Sequence, residues 1–356
     1  MRRLHTRICD LFGIEVPICA AGMGGVAMPP LATAVSRAGG LGMLGATFST
    51  PENLRAEIAQ VRSGTDRPFG VGLMIPGDIP EERSRNEIPA FPDFLADLLP
   101  RVAGMPVEPP PPLTLELARA QVAVAVEARV PLLVLGLGTP DWVLKPCREA
   151  GIKVMSVVGT ARQAMKVQAL GVDAVIAQGG EGGGHVGQVS TLVLLRQVTK
   201  SVSIPVLAGG GISDGAGIAA ALALGADGAW MGTRFAATSE ATTPDEHKRR
   251  MVEADDRATV VSRCYTGKPS RVLRNTYTER WAGHEHEVLP MPWQRIRVER
   301  LVAPARAAGM VDIANYPTGQ GAALIQDIPT AGTLVERLVD ETIETLESLR
   351  ARVSYH

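Results

Sequence analysis

The chain lacks several things that would point elsewhere. It has no stretch of about 18 uncharged apolar residues, so no membrane-spanning helix is expected. Met1-Arg2-Arg3-Leu4-His5-Thr6-Arg7 leads into no long apolar run, so no secretory signal is expected. Only four cysteines occur (Cys9, Cys19, Cys147, Cys264), with no C-x-x-C spacing and no histidine in ligand register. That excludes a zinc or disulfide framework and fits a reducing cytoplasm. The 36 Lys and Arg are interspersed with 37 Asp and Glu for a net charge of −1, which gives no reason to expect nucleic acid or an anionic membrane as partner. No G-x-G-x-x-G follows a first strand with an acidic residue about 20 positions on, and no G-x-x-x-x-G-K-[ST] occurs. A Rossmann dinucleotide site and a nucleoside triphosphatase are therefore unsupported.

What the chain does have is apolar mass and glycine. Its 356 residues, 46% apolar, suffice for one large α/β barrel or two ordinary domains. The stretch Ala177–Gln188 organises the rest: six of its twelve residues are glycine, and His185 stands near its end. It follows the apolar run Val172–Ala177 and precedes an expected helix, Thr191–Thr199. Glycine lets a backbone reach positive φ or lie flat against a ligand.

Short apolar runs alternate with helical stretches along the chain. Val16–Ala20, Leu41–Leu44 and Phe69–Met74 read as strands, and Leu31–Ala38 and Pro51–Val61 as helices, the second with Thr50 as N-cap. Pro131–Leu135 and Ile204–Ala208 add two more strands. A phrase in which glycine is followed at once by a β-rich run occurs at Ala150–Val157, Leu170–Ile176 and Leu224–Met231. There the glycine ends a helix and the next strand begins. About eight continuous apolar strands with both faces covered fit parallel β/α units. A doubly wound sheet would also satisfy this; a TIM (β/α)8 barrel is favoured because glycine-rich chemistry follows several different strands.

Two segments break the rhythm. Pro76–Pro112, rich in proline and charge, reads as a surface excursion or lid rather than core. Residues 239–310 lack the strand-glycine pattern and read as a smaller, mostly helical domain covering the substrate, leaving 1–238 and 311–356 for the barrel. Thr333–Val353 is amphipathic and should pack back as a helix.

Barrel chemistry sits on loops at the carboxyl ends of strands. The loops after the seventh and eighth strands commonly hold a phosphate with backbone amides, and Gly210, Gly211, Gly232 and Thr233 have that chemistry. Glycine also lines the loops after the first and sixth strands, which suits a flat mononucleotide cofactor such as a flavin.

In combination, Pro17–Val26, Ala38–Gly42, Gln178–Gly187, Ala208–Gly215 and Gly225–Phe235 resemble the nitronate monooxygenases, formerly 2-nitropropane dioxygenases. The likeness continues through Arg271–Asn275 to Gly319-Gln320-Gly321. It implies an FMN-dependent oxidoreductase with the phosphate on Gly210, Gly211, Gly232 and Thr233. The ring would be bounded by Ala21, Gly22, Met23 and Gln178, with Gly183 and Gly184 in the same lane and His185 as the active-site base. The implied reaction converts an alkyl nitronate and O2 to a carbonyl compound and nitrite. For a neutral nitroalkane, an imidazole of ordinary pKa about 6.5 would remove the α-proton.

Two positions depart from the family's pattern: Gly72 stands where relatives often have the Asn of G-V-N-L, and Glu181-Gly182-Gly183-Gly184-His185 replaces E-A-G-G-H. The run His185–Leu192 also resembles the flavin enoyl-acyl-carrier-protein reductases, which leaves an NAD(P)H-dependent reductase, enoyl- or quinone-reducing, as the alternative. A non-catalytic flavin-binding protein is the remaining class.

The expected partners are a small-molecule substrate and O2, with NAD(P)H in the reductase alternative, on a monomer or homodimer. No metal is expected: His284-Glu285-His286 has strand-like spacing but no third ligand. Arg271 and Arg274 read as surface or inter-domain contacts, Trp281 and Trp293 as a cover for the flavin mouth or filling for the small domain. His5, His247 and His356 carry no signal.

Overall fold

The computed structural model describes residues 4–75, 88–105, 111 and 113–353. Its barrel strands are β1 (Ile18–Ala20), β2 (Gly42–Gly45), β3 (Phe69–Met74), β4 (Leu132–Gly136), β5 (Lys153–Val158) and β6 (Ala174–Gln178). The two-residue β7 (Gly184–His185) lies outside the barrel, and β8 (Val206–Gly209) and β9 (Gly228–Met231) complete it. All eight barrel strands run parallel in the order β1-β9-β8-β6-β5-β4-β3-β2. The parallel bridge between Cys19 and Leu41 joins β1 to the start of β2. That closure decides for the barrel over the doubly wound sheet.

Alternation along each strand explains the unbroken apolar runs. Leu132, Val134, Met155, Ile176, Leu207 and Trp230 fill the interior. Their neighbours Leu133, Leu135, Val154, Val175 and Val206 face the surrounding helices. Those helices are α2 (Pro29–Arg37), α3 (Pro51–Gly64), α4 (Leu115–Glu127), α5 (Asp141–Glu149), α6 (Ala161–Leu170), α7 (Thr191–Ser201) and α8 (Gly215–Ala223). Thr50 caps α3 as expected, its hydroxyl accepting from Asn53 N at 3.2 Å.

The amino end of the barrel is plugged by the first helix and tied by side-chain bonds. Ile8, Cys9 and Phe12 of α1 (Arg7–Phe12) join the interior cluster. The aspartates of the repeated phrase work here: Asp173 accepts from Val154 N at 2.8 Å and Asp227 from Val206 N at 2.9 Å. Each ties the start of one strand to the previous one. Arg7 completes the arrangement with a two-point bond to Asp227, at 2.8 and 2.9 Å.

Beyond β9 come α9 (Thr233–Ala236), α10 (Asp245–Val252), β10 (Thr259–Ser262), β11 (Ser270–Leu273), α11 (Thr276–Arg280), α12 (Trp293–Ala307) and α13 (Ala331–Arg352). Residues 239–310 thus carry a strand pair as well as helices: Thr259-Val260-Val261-Ser262, with three β-branched residues, pairs antiparallel with Ser270-Arg271-Val272-Leu273. β11 also pairs with β7, giving a three-stranded sheet β10-β11-β7.

The described part of the 76–112 excursion differs from expectation; the rest lies outside the described residues. A 3-10 helix, Asp93–Val102, sends Leu95, Leu98 and Val102 into a second apolar cluster with Tyr277, Trp281 and Leu301. Leu95 is fully buried, so this part is core and not surface. Its apolar residues recur at i, i+3 and i+7, a pattern hidden by the flanking prolines. Trp281 and Trp293 are likewise buried fillers. His284 precedes a 3-10 turn, Glu285–Glu287, instead of a strand, with Nδ1 on Glu287 at 2.9 Å. The terminal α13 packs Leu334, Val335 and Leu338 against Leu31, Val35 and Ile218.

Candidate active site

The loops after β8 and β9 present amides. Gly210 and Gly211 have φ of +105° and +75°, a conformation only glycine adopts readily. A Cβ on Gly210 would also strike Thr191 Oγ1 at 2.8 Å and Gly179 O at 3.0 Å. The amides of Gly210, Gly211 and Gly232 find no protein acceptor among the described residues. Half-buried N–H groups left open in this way form an anion nest. Thr233 Oγ1 accepts from Gly319 N at 2.9 Å, which leaves its proton to donate. Met23 and Ala21 border the nest: a Cβ on Gly232 would meet Met23 Sδ at 3.5 Å and Ala21 Cβ at 3.6 Å. The donor set, amides and one hydroxyl, fits a phosphate group.

The lane from this nest to His185 is held by side chains that sequence reasoning left aside. Glu181 turns its carboxylate to the start of α7, accepting from Thr191 N at 2.7 Å and Oγ1 at 2.6 Å. Thr191 Oγ1 also lies 2.9 Å from Gly210 O, so Glu181 and Thr191 lock the loop after β6 to the loop after β8. Arg271 donates from Nε to Gly180 O at 3.0 Å, an inter-element contact of the kind expected for it. Gln320 N donates to Glu181 O at 2.9 Å. Gly183 packs so closely on Thr318 and Gly319 that a Cβ would approach Gly319 N to 2.9 Å. The phrase Gly319-Gln320-Gly321 was the available signal for this closure; Glu181 gave none, since its partner lies ten residues on.

His185 stands on β7, paired with Ser270 of β11, and Gln178 Nε2 donates to its carbonyl at 2.9 Å. Its Nε2 lies 3.0 Å from Thr266 Oγ1, and Thr266 Oγ1 lies 3.3 Å from Lys268 O. With the threonine proton on Lys268 O, the hydroxyl accepts from Nε2–H, which places the free lone pair on Nδ1. Burial, helped by the positive charge of Lys268, lowers the imidazole pKa to about 4. The ordinary value near 6.5 assumed from sequence does not hold, because charging this ring would cost it its solvation. Nothing in the sequence announced Thr266 or Lys268, which arrive through the β7–β11 pairing.

On the opposite side, Gly22 and Gly72 meet backbone to backbone: a Cβ on Gly72 would come within 3.3 Å of Gly22 Cα and 3.4 Å of Leu44 O. The replacement of the family's usual asparagine thereby lets the Ala21–Met23 loop settle against β3. Ala21 N is fixed to Met231 O at 2.9 Å. The structure therefore gathers Ala21, Gly22, Met23, Gly210, Gly211, Gly232 and Thr233 beside one another, and Gln178, Gly183, Gly184 and His185 along the adjoining lane. Among the described residues, no group of three or more His, Cys, Asp or Glu could hold a metal ion, and no helix is long and apolar enough to cross a membrane.

The chain is similar to known proteins along nearly its whole length. A family model described as nitronate monooxygenase matches residues 5–341. An indene-carboxyl-CoA dehydrogenase of Mycobacterium tuberculosis is 34% identical over 99% of both chains. The solved nitroalkane oxidase from Streptomyces ansochromogenes is 35% identical, covers 96% of this chain and 99% of its own, and superposes with a TM-score of 0.84. FabK from Thermotoga maritima is 36% identical over 98% of this chain and all of its own, with a TM-score of 0.80. A TIM barrel with an amide nest at its seventh and eighth strands, matched to one family along nearly its whole length, places the chain in the nitronate monooxygenase family of flavin-dependent oxidoreductases.

Proposed function

We propose that the protein binds FMN and oxidises alkyl nitronates with O2, giving a carbonyl compound and nitrite. The carrying observation is a neutral imidazole, His185, with Nδ1 unengaged, at the end of a glycine lane that begins in a set of phosphate-type donors without protein acceptors among the described residues. Gly210, Gly211, Gly232 and Thr233 would hold the phosphate, and Ala21, Gly22, Met23, Gln178, Gly183 and Gly184 would border the ring. When bound, FMN supplies the electron acceptor and the route to O2.

The residues of this chain decide which form of substrate is handled best. A pKa of about 4 keeps His185 uncharged at neutral pH, able to accept a proton but a weak base. A nitronate arrives already deprotonated and makes no demand on that basicity. The positive charge of Lys268, which opposes charging of His185, favours an anion in the same place. The smaller unit at 239–310 would cover the substrate, since it supplies Thr266, Lys268 and the β11 partner of His185.

Replacing His185 by Asn tests the assignment. Turnover of neutral nitroethane should fall by roughly 10²–10⁴-fold, with flavin content and turnover of pre-formed ethylnitronate retained. Equal turnover of nitroethane by both proteins would remove His185 from the reaction.

The His185–Leu192 likeness to flavin reductases, together with a dehydrogenase among the relatives, favours a second reading as an NAD(P)H-dependent reductase. Rapid anaerobic bleaching of the flavin by NADH or NADPH would select it. An unbleached flavin that turns over nitronate would select the first.

A further inference from the structure

Among the described residues, two that are not glycine have positive φ: Arg129 at +47° and Leu137 at +66°. Arg129 ends α4, where its N donates to Val126 O at 3.0 Å and Val130 N to Ala125 O at 3.1 Å, an ordinary helix terminus. Leu137 ends no helix; it follows β4 directly, at the carboxyl face of the barrel. The left-handed region crowds a Cβ against the backbone, and glycine or asparagine takes it far more easily. Glycine is the very next residue, Gly138, yet leucine occupies the strained place. The conformation is imposed from both sides. Gly136 O accepts from Ile75 N at 2.9 Å, and Thr139 Oγ1 lies 2.6 Å from Ser156 Oγ on β5.

Packing does not explain the leucine. Its side chain is half-buried but belongs to none of the apolar clusters of the barrel or of the smaller unit. Met74, at the end of β3, is likewise half-buried and outside them. Along β3, Phe69, Val71, Leu73 and Ile75 face the helices, so alternation turns Met74 to the barrel axis. Met74 pairs in register with Gly136. A Cβ on Gly136 would meet Met74 Cγ at 3.5 Å and Leu73 O at 3.8 Å, both ordinary contacts, so the rim beside Leu137 is apolar and uncrowded. In the strand order β4 stands three strands from β9 in either direction, directly across the mouth from the amide nest. Strain kept without a packing benefit marks a working position.

We propose that Leu137 is a specificity-determining residue, which with Met74 forms an apolar acceptor for the hydrocarbon part of the substrate. This rests on the functional reading above and names its substrate class: nitronates with an alkyl chain of several carbons beyond the reacting one. A leucine and a methionine meet such a chain with dispersion and dehydration alone, and the flexible thioether adapts to its shape. Each methylene fully withdrawn from water there strengthens binding by up to about fourfold.

The test is Leu137→Asn, which suits the backbone conformation and removes the apolar contact. In the flavin-loaded protein the ratio of kcat/KM for hexyl-1-nitronate to that for ethylnitronate should fall about fivefold or more, with ethylnitronate itself little affected. Leu137→Met, which keeps an apolar side chain, should recover most of the ratio. At saturating FMN the Asn variant should melt no lower than the parent, because strain is released and no core contact is lost. Calorimetric titration of the loaded protein with hexanamide and acetamide, neutral and unreactive, reads the acceptor without turnover. A preference for hexanamide in the parent that is lost in Leu137→Asn supports it even if neither nitronate is oxidised; failure of oxidation would remove only the proposed activity. Equal treatment of the two chain lengths by the parent, or a preference unchanged in Leu137→Asn, would overturn the proposal. So would a melting temperature lowered by several degrees, which would make Leu137 a structural filler, or a tenfold weaker FMN affinity, which would assign the contact to the cofactor.

Discussion

The two ends of the barrel use similar groups to opposite effect. At the amino end polar groups that the strands leave over are matched within the chain: Asp173 and Asp227 take up the amides of Val154 and Val206, and Arg7 is paired to Asp227. At the carboxyl end, among the described residues, the amides of Gly210, Gly211 and Gly232 have no acceptor and His185 Nδ1 is unengaged. A folded chain ordinarily satisfies its partly buried polar groups. Where one end does so and the other does not, the open end is where something else is meant to complete the set. Stability and chemistry are thus divided between the two faces, as barrels generally divide them.

Substitutions at each end should break this division in different ways. Gly210→Ala attacks the open end: forcing alanine to φ near +105° against Gly179 O should cost about 1–3 kcal/mol, read as a ten- to hundredfold weaker FMN affinity by fluorescence titration. Its melting temperature with the flavin stripped should fall much less than the affinity does. Asp227→Ala attacks the closed end, removing the bonds to Val206 N and Arg7. A loss of about 1–3 kcal/mol in urea unfolding is expected, with FMN affinity per folded molecule unchanged. A fall in affinity as large as that in Gly210→Ala would show that the two faces are not separate.

Acid should reach the open end through its histidines. His247, nearly inaccessible, bonds Thr318 Oγ1 at 2.8 Å and has a pKa lowered to about 4 by burial and by Arg306 and Arg250. Its folded-state pKa lies below the unfolded value, so its contribution is complete above about pH 6.5 and is lost as pH falls towards 4. The loss amounts to about 3 kcal/mol at most, and His247→Gln should flatten the stability curve over that window. For His185 the same sign applies to rate: kcat/KM on nitroethane should rise through pH about 4 and level above it. An inflection near 6.5 would show that the ring is not desolvated in the working enzyme. Smallest of all, Gly72→Asn should displace the Gly22 loop by a few tenths of an ångström, costing about 1 kcal/mol and shifting the flavin absorption spectrum while retaining turnover.

The barrel was readable because its strands are unbroken apolar runs punctuated by glycine, and glycine at 151, 171 and 225 does adopt positive φ after each helix. The amide nest was readable for the same reason: adjacent glycines at strand ends leave few other conformational uses. Much of the surroundings of His185 was not. β7 is two residues long in a glycine-rich stretch, and its partner lies some eighty residues on. Local periodicity carries no trace of such a pairing. The lowered pKa depends on burial by segments that sequence order keeps apart. Leu95 entering the second core was masked by proline on either side, and His247 became noticeable only once Thr318 stood beside it.

The ladder joining β7 to β11 has a consequence for how the family could diversify. The imidazole's orientation is set by the hairpin of residues 259–273, while the proposed cofactor bed is set by the barrel. Exchanging that hairpin, with its Thr266–Lys268 tip, between relatives would transplant reaction preference while leaving the prosthetic group's berth intact. Chimaeras built at these seams would be the natural way to move from one oxidoreductase chemistry to another on a common scaffold.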